Sequence, residues 1–538
     1  MINDILSIEK SPNDSNIYKY IKLENELELV LISNPNSNQY SALTLSVGVG
    51  SFFDPSDVLG LSHLVERSIL LSNEKNPDSN DDFSTFIQLN GGFLNSVTYE
   101  DRTSFYYKID SLCLEESIEK FSNYLIAPIF NKDLLEREIN IIESEFNSIF
   151  DENKKNLVLL KGIFENDHPY GQFNNGNNKT LRLEDIRNRC MEFFEKHYSS
   201  NVMKLCVYGK QSIEKLEEMC KKSFGLIKNK KIYSTPLPKF VLKNPIKFEI
   251  ASNIQDKHIL KIIWPINDES LSFKGKVRSN SNSIINHYLG HEAKGSLSAA
   301  LDNLGYSYRL YSFAQSYAIK DINIMGLEIH LTKCGFDNID HVMFLVNQTI
   351  REFNANQMVK TELRTLDIEW KYLNNDSSID LTRVVSNNLF YVESHVQVLK
   401  YPKYMFEKEN PSEINKILSF MVPSNMIVMV SSNEFKGKTN SENDIYKIQY
   451  SSQVIEDSLI KKWKFDYQRS VDIVLPKPNP YLPNDIEIKT KTSSKPHEIY
   501  NFNGIKIDWG SESSLNSPYL NIIVKFDCPT KGNEQYKN

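Results

Sequence analysis

Alternating hydrophobic and polar positions dominate the first part of the chain. Between Ile21 and Ser51, the stretches LELVLISNP and YSALTLSVGVGSFFDP alternate as half-buried strands do. Asn, Pro and Ser residues at positions 34–38 are typical of a turn, so this region predicts a pair of strands. Further on, FLNSVTYEDRTSFYYKID predicts two more strands.

Helical patterns surround these strands. Pro55 and its Ser and Asp neighbours introduce a predicted helix from about Val58 to Ser72. A second predicted helix, DFSTFIQLNG, is closed by two glycines in C-cap position. Three longer stretches predict further helices: LEESIEKFSNYLIAP, LLEREINIIESEFNSIFDENKKN and DIRNRCMEFFEKHY. The strand KLCVYG and the helix IEKLEEMCKKSFGLIKN complete this first unit.

Two proline-rich connectors divide the chain. The first, at 234–245, precedes a second unit with the strand-like KHILKIIWPI, a helix near SNSIINHYLG and the strand INIMGLEIHLT. The second connector, at 475–485, precedes a short strand-like tail, SPYLNIIVKFD, which is too short to bury a core of its own. We predict a first domain at 1–235, a second at 246–470, a linker at 471–510 and the opening strand of a third domain at 511–538.

Composition narrows the classes of partner. The 538 residues carry a net charge of −7, which argues against nucleic-acid and membrane-surface partners because both require a basic face. No apolar run approaches the roughly 18 residues of a membrane span, and the N-terminus has no signal-peptide pattern, so a cytoplasmic location is the default expectation. Six scattered cysteines indicate free thiols rather than a disulfide framework.

The sequence HLVER at positions 63–67 carries the candidate chemistry. Spacings of three and four residues put His63, Glu66 and Arg67 on one face of the first predicted helix. An inverted zincin needs H-x-x-E-H there, because two histidines bind zinc and the glutamate polarises the attacking water. Here the last position is Arg. Taken alone, H-x-x-E is common on amphipathic helices and is typical of a solvated polar stripe.

A pair of glutamates lies about eighty residues downstream, on the predicted helix LLEREINIIESEF. Glu138 and Glu145 are seven residues apart and therefore share a helical face. The alternative is a solvated acidic face. The dense apolar residues nevertheless indicate that part of this helix is buried, and carboxylates near a buried face need partners. One carboxylate can complete a zinc site while the other supports it from behind.

Six segments in this order resemble the N-terminal half of the insulinase (pitrilysin) family of inverted-zincin metallopeptidases, and within it the insulin-degrading enzymes. They are SFFDPSDVLGLSHLVER, FLNSVTYEDRTSFYY, REINIIESE, HPYGQFNNGNNKTL, FFEKHYSSNVMKLCVYGKQS and HYLGHEAKGSL. The resemblance implies an α+β fold with two insulinase-type domains, each a mainly antiparallel sheet packed with helices, followed by the start of a third.

The resemblance also implies roles for the residues that match the family's motifs. It makes His63 the first zinc histidine, Glu145 the third zinc ligand and Glu66 the general base, with Glu138 as the acidic residue that supports the site. It implies an edge strand that pairs with substrate backbone at Asn95, Ser96, Val97 and Thr98. It implies that a substrate's N-terminus is held by His287, Gly290, His291 and Gly295, beside the strand from Tyr311 to Gln315.

Arg67 stands where the family has its second zinc histidine. A guanidinium has no lone pair to donate and stays protonated, so zinc would keep only His63 and Glu145. We therefore predict that zinc, the family's cofactor, is absent or weakly bound here. We also predict that Arg67 replaces the metal electrostatically by bridging Glu145 and Glu66, both taken to be buried.

These observations favour a catalytically defective insulinase-family protein that binds peptides or small unfolded polypeptides or partners a related subunit. The resemblance implies a C-terminal half or related subunit that closes the chamber. The first alternative is an active zinc metalloendopeptidase that degrades oligopeptides, with Glu66 as general base. The second is a structural scaffold, which would not bind extended peptides. Zinc analysis separates the catalytically defective protein from the active metalloendopeptidase. Titration with an unstructured peptide separates the catalytically defective, peptide-binding protein from the structural scaffold.

Overall fold

The computed structural model describes most of the chain between residues 7 and 509. The described ranges are 7–36, 39–77, 83–149, 151–233, 237–238, 240–268, 281–317, 322–373, 377–405, 412–465, 473–477, 482, 497–502 and 505–509. They contain two mixed but mainly antiparallel sheets packed with helices, which confirms the predicted α+β class. Among the described helices, none has the length and apolar character needed to cross a membrane.

The first sheet has six strands in the order β1-β2-β6-β3-β5-β4. The strands are β1 (Ile17–Lys22), β2 (Glu28–Ser33), β3 (Tyr40–Val47), β4 (Phe93–Thr98), β5 (Thr103–Asp110) and β6 (Met203–Gly209). Its helices are α1 (Leu61–Ile69), α2 (Phe83–Leu89), α3 (Leu114–Ile126), α4 (Lys132–Ser148), α5 (Glu152–Asn156), α6 (Asn178–Leu181), α7 (Ile186–His197) and α8 (Ile213–Phe224).

The predicted pairing of the first two strand stretches is wrong, although both stretches form strands. β6 lies between β2 and β3, parallel to β2 and antiparallel to β3, while β2 pairs on its other side with β1. The turn at 34–38 therefore does not close a hairpin. A local alternation of apolar and polar residues shows that a strand exists, and it does not show which distant strand inserts beside it. The pair β4–β5 is antiparallel as predicted.

The second sheet has seven strands in the order β12-β13-β7-β11-β8-β10-β9. They are β7 (Ile246–Ala251), β8 (His258–Ile266), β9 (Ser307–Tyr317), β10 (Ile322–Leu331), β11 (Ile427–Ser432), β12 (Ser441–Glu442) and β13 (Gln449–Val454). The helices of this part are α9 (Ser281–Leu289), α10 (Leu297–Asn303), α11 (Lys333–Asp337), α12 (Ile339–Arg351), α13 (Ala355–Lys371), α14 (Ser378–Asn388), α15 (Ser412–Phe420) and α16 (Asp457–Phe465).

One helix crosses from the second unit to the first. α14 packs on the face of the first sheet that is opposite to α1, and its apolar side chains cover Val30, Ile32, Ala42, Cys206 and Tyr208. The hydroxyls of Thr382 and Thr44 lie 2.9 Å apart in this contact. The first sheet is therefore covered on both faces only when residues far along the chain are in place.

The two units also meet directly. Phe164 and Tyr170, which follow α5, and Phe240 of the first connector pack with the side chains of Ile250 and Ile263 from the second sheet. The predicted linker at 471–510 contains an antiparallel hairpin, β14 (His497–Phe502) with β15 (Ile505–Trp509). The predicted strand-like tail lies outside the described residues.

Candidate metal centre

α1 is the platform of the candidate site. The helix begins at Leu61 because Gly60 adopts a left-handed conformation with φ of 88°, and it ends at Ile69, so it is shorter than predicted. Asp54 accepts hydrogen bonds from the backbone N–H groups of Gly60 (2.9 Å) and Ser62 (2.7 Å) and so caps the helix. Burial raises the pKa of Asp54 to about 7, although these bonds favour its charged form.

His63 is held in one tautomer. Its Nδ1 lies 2.7 Å from the carbonyl oxygen of Asn175, and because a carbonyl can only accept, Nδ1 carries the hydrogen. In the neutral ring the lone pair is therefore on Nε2, which lies 3.7 Å from Glu145 Oε2. The structure thus brings the first predicted ligand and the third predicted ligand together.

Arg67 bridges two carboxylates of α4. Its Nε donates to Glu138 Oε2 at 3.0 Å, and its Nη1 donates to Glu145 Oε1 at 2.7 Å. The predicted bridge to Glu145 is present, whereas the predicted bridge to Glu66 is wrong, since the second partner is Glu138. The Glu66 carboxylate is instead engaged by Ser96 and Thr98.

The two bridged carboxylates differ in exposure. Glu138 is buried, with 5% of its side chain exposed, and it also accepts from Arg137 Nη2 at 3.2 Å. The Glu145 side chain is 40% exposed, so its predicted burial is wrong. Glu145 lies in the last turn of α4, where the helix leaves the core. Arg67 therefore joins a buried carboxylate to a solvated one.

The carboxylate of Glu66 accepts hydrogen bonds from the edge strand. Ser96 Oγ donates to its Oε1, and Thr98 Oγ1 donates to its Oε2 at 2.8 Å. Glu66 is only 5% exposed, so these hydroxyls compensate the burial of its charge. Burial, and then the nearby Glu66 carboxylate, raise the pKa of Tyr198.

The predicted edge strand is β4, which pairs only with β5 among the described strands. Its side chains alternate, so Ser96 and Thr98 point towards α1 while Asn95 and Val97 belong to the other face. Asn95 Nδ2 donates to Tyr106 Oη at 3.0 Å. The other backbone edge of β4 is therefore without a strand partner in the part of the chain that the structure describes.

The predicted residues of the second unit gather at the end of α9. Gly290 lies against Ser312 of β9, and the Asn286–Ser312 hydrogen bond of 2.7 Å holds the two elements together. His287 Nε2 lies 3.1 Å from Glu362, and the rings of His287 and His291 meet edge to face at 5.5 Å between centroids. The carbonyl of Gly295 accepts from the backbone N–H of Val474 at 3.0 Å, so this carbonyl is already hydrogen-bonded within the protein.

Sequence reasoning missed three residues that shape the site. They are Asp54, Asn175 and Arg137. Asp54 precedes a helix start and could have been found as a capping residue. Arg137 adjoins Glu138 in sequence, but Asn175 contributes only its backbone carbonyl, which leaves no signal in the residue type.

Three family models match successive parts of the chain. The model described as Insulinase (Peptidase family M16) matches residues 29–166, which contain both α1 and α4. Peptidase M16 inactive domain matches residues 185–366, and the middle or third domain of peptidase M16 matches residues 370–538. The chain belongs to the insulinase family.

Sequence similarity to individual proteins supports the same family assignment. It is 36% identical over 531 residues to "Insulin-degrading enzyme homolog" of Dictyostelium discoideum, which covers 98% of this chain and 55% of that protein. It is 28% identical over 500 residues to "Insulin-degrading enzyme" of Homo sapiens, covering 89% of this chain and 48% of that protein. The chain therefore spans about half the length of these curated relatives.

The fold matches a solved structure of pitrilysin with a TM-score of 0.83 at 22% identity. The match covers 96% of this chain and 55% of pitrilysin. It shows that the insulinase-family chain has the pitrilysin fold, as the six segments predicted.

The family is a family of zinc metallopeptidases, so the residues present can be tested against zinc. His63 Nε2 and Glu145 offer two donor groups, and a catalytic zinc site uses about three protein ligands. The position of the family's second zinc histidine is filled by Arg67, a cation whose Nη1 already donates to Glu145. Among the described residues, no group of three or more His, Cys, Asp and Glu side chains could hold a metal ion. The described residues at this site therefore do not fit a catalytic zinc centre.

Proposed function

We propose that this insulinase-family chain is catalytically defective and acts by binding peptides or small unfolded polypeptides, or as the partner of a related subunit. The observation that carries the proposal is the guanidinium of Arg67 between Glu138 and Glu145. It places a fixed positive charge where the family's second zinc histidine would stand.

Electrostatics support this interpretation. A dication about 4 Å from a guanidinium would be repelled by about 8 kcal/mol at an effective dielectric constant of 20. Arg67 could reduce this repulsion only by leaving the carboxylates that it bridges. That movement would leave the buried Glu138 with Arg137 as its partner. The metal-free arrangement therefore satisfies the charges that zinc would otherwise balance.

The edge of β4 supports peptide binding. An extended peptide can add a strand to an exposed sheet edge, and main-chain hydrogen bonds then supply most of the affinity. The cluster at the end of α9, with His287, Gly290 and His291, is the proposed holder of the peptide's N-terminus. Because this chain spans about half the length of its curated relatives, we propose that a second half or a related subunit covers the bound peptide. Without it we expect micromolar or weaker affinity, since much of the peptide stays solvated.

Zinc content and peptidase activity test the proposal together. Protein purified without added metal should contain far less than one zinc per chain, and it should not cleave a fluorogenic peptide. A stoichiometric zinc bound through His63 and Glu145 would contradict it.

The active metalloendopeptidase stays an alternative because His63 and Glu66 match the family motif. It predicts cleavage that is abolished by Glu66→Gln, since a glutamine cannot act as general base. A structural scaffold predicts no binding of an unstructured peptide even at millimolar concentration.

A further inference from the structure

Glu66 has both carboxylate oxygens engaged by one strand. Oε1 accepts from Ser96 and Oε2 accepts from Thr98, two residues apart on β4. The side chain is buried, so water does not compete for these oxygens. A general base needs a lone pair directed at a water or a substrate proton, and here one lone pair of each Glu66 oxygen already accepts from a hydroxyl of β4.

We propose that Glu66 is a positioning residue that fixes the edge strand β4 to α1, so that β4 can accept an extended peptide at its free backbone edge. This inference rests on the proposed peptide-binding function and deepens it. It assigns the residue that the family motif marks as a base to a different task in this chain.

The geometry of a strand explains why two hydroxyls are used. Side chains two residues apart on a strand point to the same face, so Ser96 and Thr98 both meet the helix below. A carboxylate has two oxygens and can accept from both hydroxyls at once. An edge strand has a partner on one side only, and its backbone opens more easily than that of a central strand. A bidentate contact to α1 restrains β4 without using any of its backbone groups.

α1 is itself a firm anchor for this contact. Leu61, Leu64 and Val65 are buried in the core of the first unit, and Asp54 caps the start of the helix. Arg67, one residue beyond Glu66, ties the same helix to α4. β4 is therefore held by a helix that is itself anchored in the core. We expect this restraint to reduce the conformational entropy that β4 loses when it binds a peptide.

The positioning role and the base role make opposite predictions for one substitution. A glutamine at position 66 keeps an acceptor oxygen for one hydroxyl and can donate from its amide nitrogen to the other, because a hydroxyl both donates and accepts. Glu66→Gln should therefore preserve the restraint, while Glu66→Ala removes it. For a general base, both substitutions abolish peptide cleavage, whereas neither is expected to change the restraint on β4.

The test measures amide hydrogen exchange of residues 93–98 and the affinity for a fluorescein-labelled unstructured peptide rich in β-branched residues. We expect Glu66→Ala to speed exchange in β4 and to weaken peptide binding, each by about tenfold, from the loss of hydrogen bonds to a charged group. Glu66→Gln should stay within about twofold of the original protein in both measurements.

The matched control is a substitution of a carboxylate at the opposite edge of the same sheet. Glu217 of α8 contacts Lys19 of β1 at 2.6 Å and lies far from β4 in the strand order. Glu217→Ala should leave exchange in β4 and peptide affinity unchanged. The double substitution of Ser96→Ala with Thr98→Val removes the same contact from the strand side, and it should speed exchange in β4 as Glu66→Ala does.

The outcomes separate this inference from the proposed function. If the original protein binds no peptide, the peptide-binding proposal fails, while the exchange measurements still decide the role of Glu66. Unchanged exchange in Glu66→Ala overturns the positioning role, and so does a loss in Glu66→Gln as large as that in Glu66→Ala. Rescue by glutamine in both exchange and affinity supports it.

Discussion

Arg67 and Glu138 face each other between α1 and α4, with 3.0 Å between Arg67 Nε and Glu138 Oε2. Arg67 is 25% exposed and Glu138 is 5% exposed, so the pair lies at the border of the core. Each partner has a further contact, Arg67 with Glu145 and Glu138 with Arg137. The pair therefore connects the helix of the zinc motif to the helix of its acidic residues without a metal.

Substitution of Arg67 should destabilise the protein. Arg67→Met keeps the apolar stem and leaves Glu138 with one cationic partner, so we expect the free energy of unfolding to fall by about 1–3 kcal/mol. Arg189→Met is the control, because Arg189 also contacts two carboxylates, Asp57 and Asp185, which are both more than half exposed. Its effect should be about 0–1 kcal/mol. Urea unfolding of both variants measures the difference, and equal losses would mean that the Arg67 bridge is no more than a surface contact.

Arg67→His should restore zinc binding. It places a second imidazole one turn from His63, and Glu145 already lies 3.7 Å from His63 Nε2. We expect close to one zinc per chain in the variant, with affinity falling at low pH as the histidines bind protons. Metal analysis after dialysis checks this, with Arg67→His combined with Glu145→Gln as the control that should lose the metal again. Peptide cleavage should recover less than zinc, because hydrolysis also needs a positioned substrate.

The start of α1 depends on Gly60. A Cβ there would lie 2.3 Å from the Cα of Gly176, and the residue has φ of 88°. Gly162 has a similar φ of 83°, but a Cβ at that position would meet no atom within 4 Å, so Gly162→Ala serves as the control. We expect Gly162→Ala to cost about 1 kcal/mol from backbone strain alone and Gly60→Ala to cost at least twice as much. Thermal unfolding of both variants separates the steric contact from the strain. Equal shifts would mean that Gly176 moves aside freely.

His168 should make stability depend on pH. Burial among Phe52, Phe164 and Phe240, and then the charge of Lys161, lower its pKa to about 4. Its Nδ1 accepts from the Tyr170 N–H at 3.1 Å, so the folded protein holds the neutral ring. The unfolded chain binds the proton near pH 6.5, and this contribution is therefore fully present above that pH and is lost as the pH falls towards 4.

The expected loss is on the order of 3 kcal/mol between pH 6.5 and pH 4. Chemical unfolding at pH 7 and pH 5 should show a smaller pH effect for His168→Phe than for the original protein. If the two pH dependences run parallel, His168 is not the group responsible.

Local patterns predicted most elements of the first unit and only three elements of the second, and they did not predict all of the strand pairings. Most of the predicted stretches are close to their observed bounds because each pattern reflects which face is buried. The helix predicted over 134–156 is an exception, since α4 ends at Ser148 and α5 begins at Glu152. The position of β6 between β2 and β3 could not be predicted, since it depends on a pairing between residues far apart in sequence. The contact of α14 with the first sheet is also non-local.

Within the site, too, local sequence patterns predicted some contacts and not others. Glu138 and Glu145 share a helical face, and one guanidinium reaches both, as their spacing of seven residues allows. The engagement of Glu66 by Ser96 and Thr98 requires the position of β4 over α1, which the sequence of neither element contains. Role assignments that rest on the family motif stay predictions.

The helix α14 also sets an order of events during synthesis. The face formed by Val30, Ile32 and Ala42 stays open to solvent until residues 378–388 have left the ribosome. The first sheet of a nascent chain is thus assembled with one apolar face bare, which favours association with chaperones or with other chains. A fragment that ends at the first proline-rich connector would keep that face bare permanently, and aggregation is its expected fate.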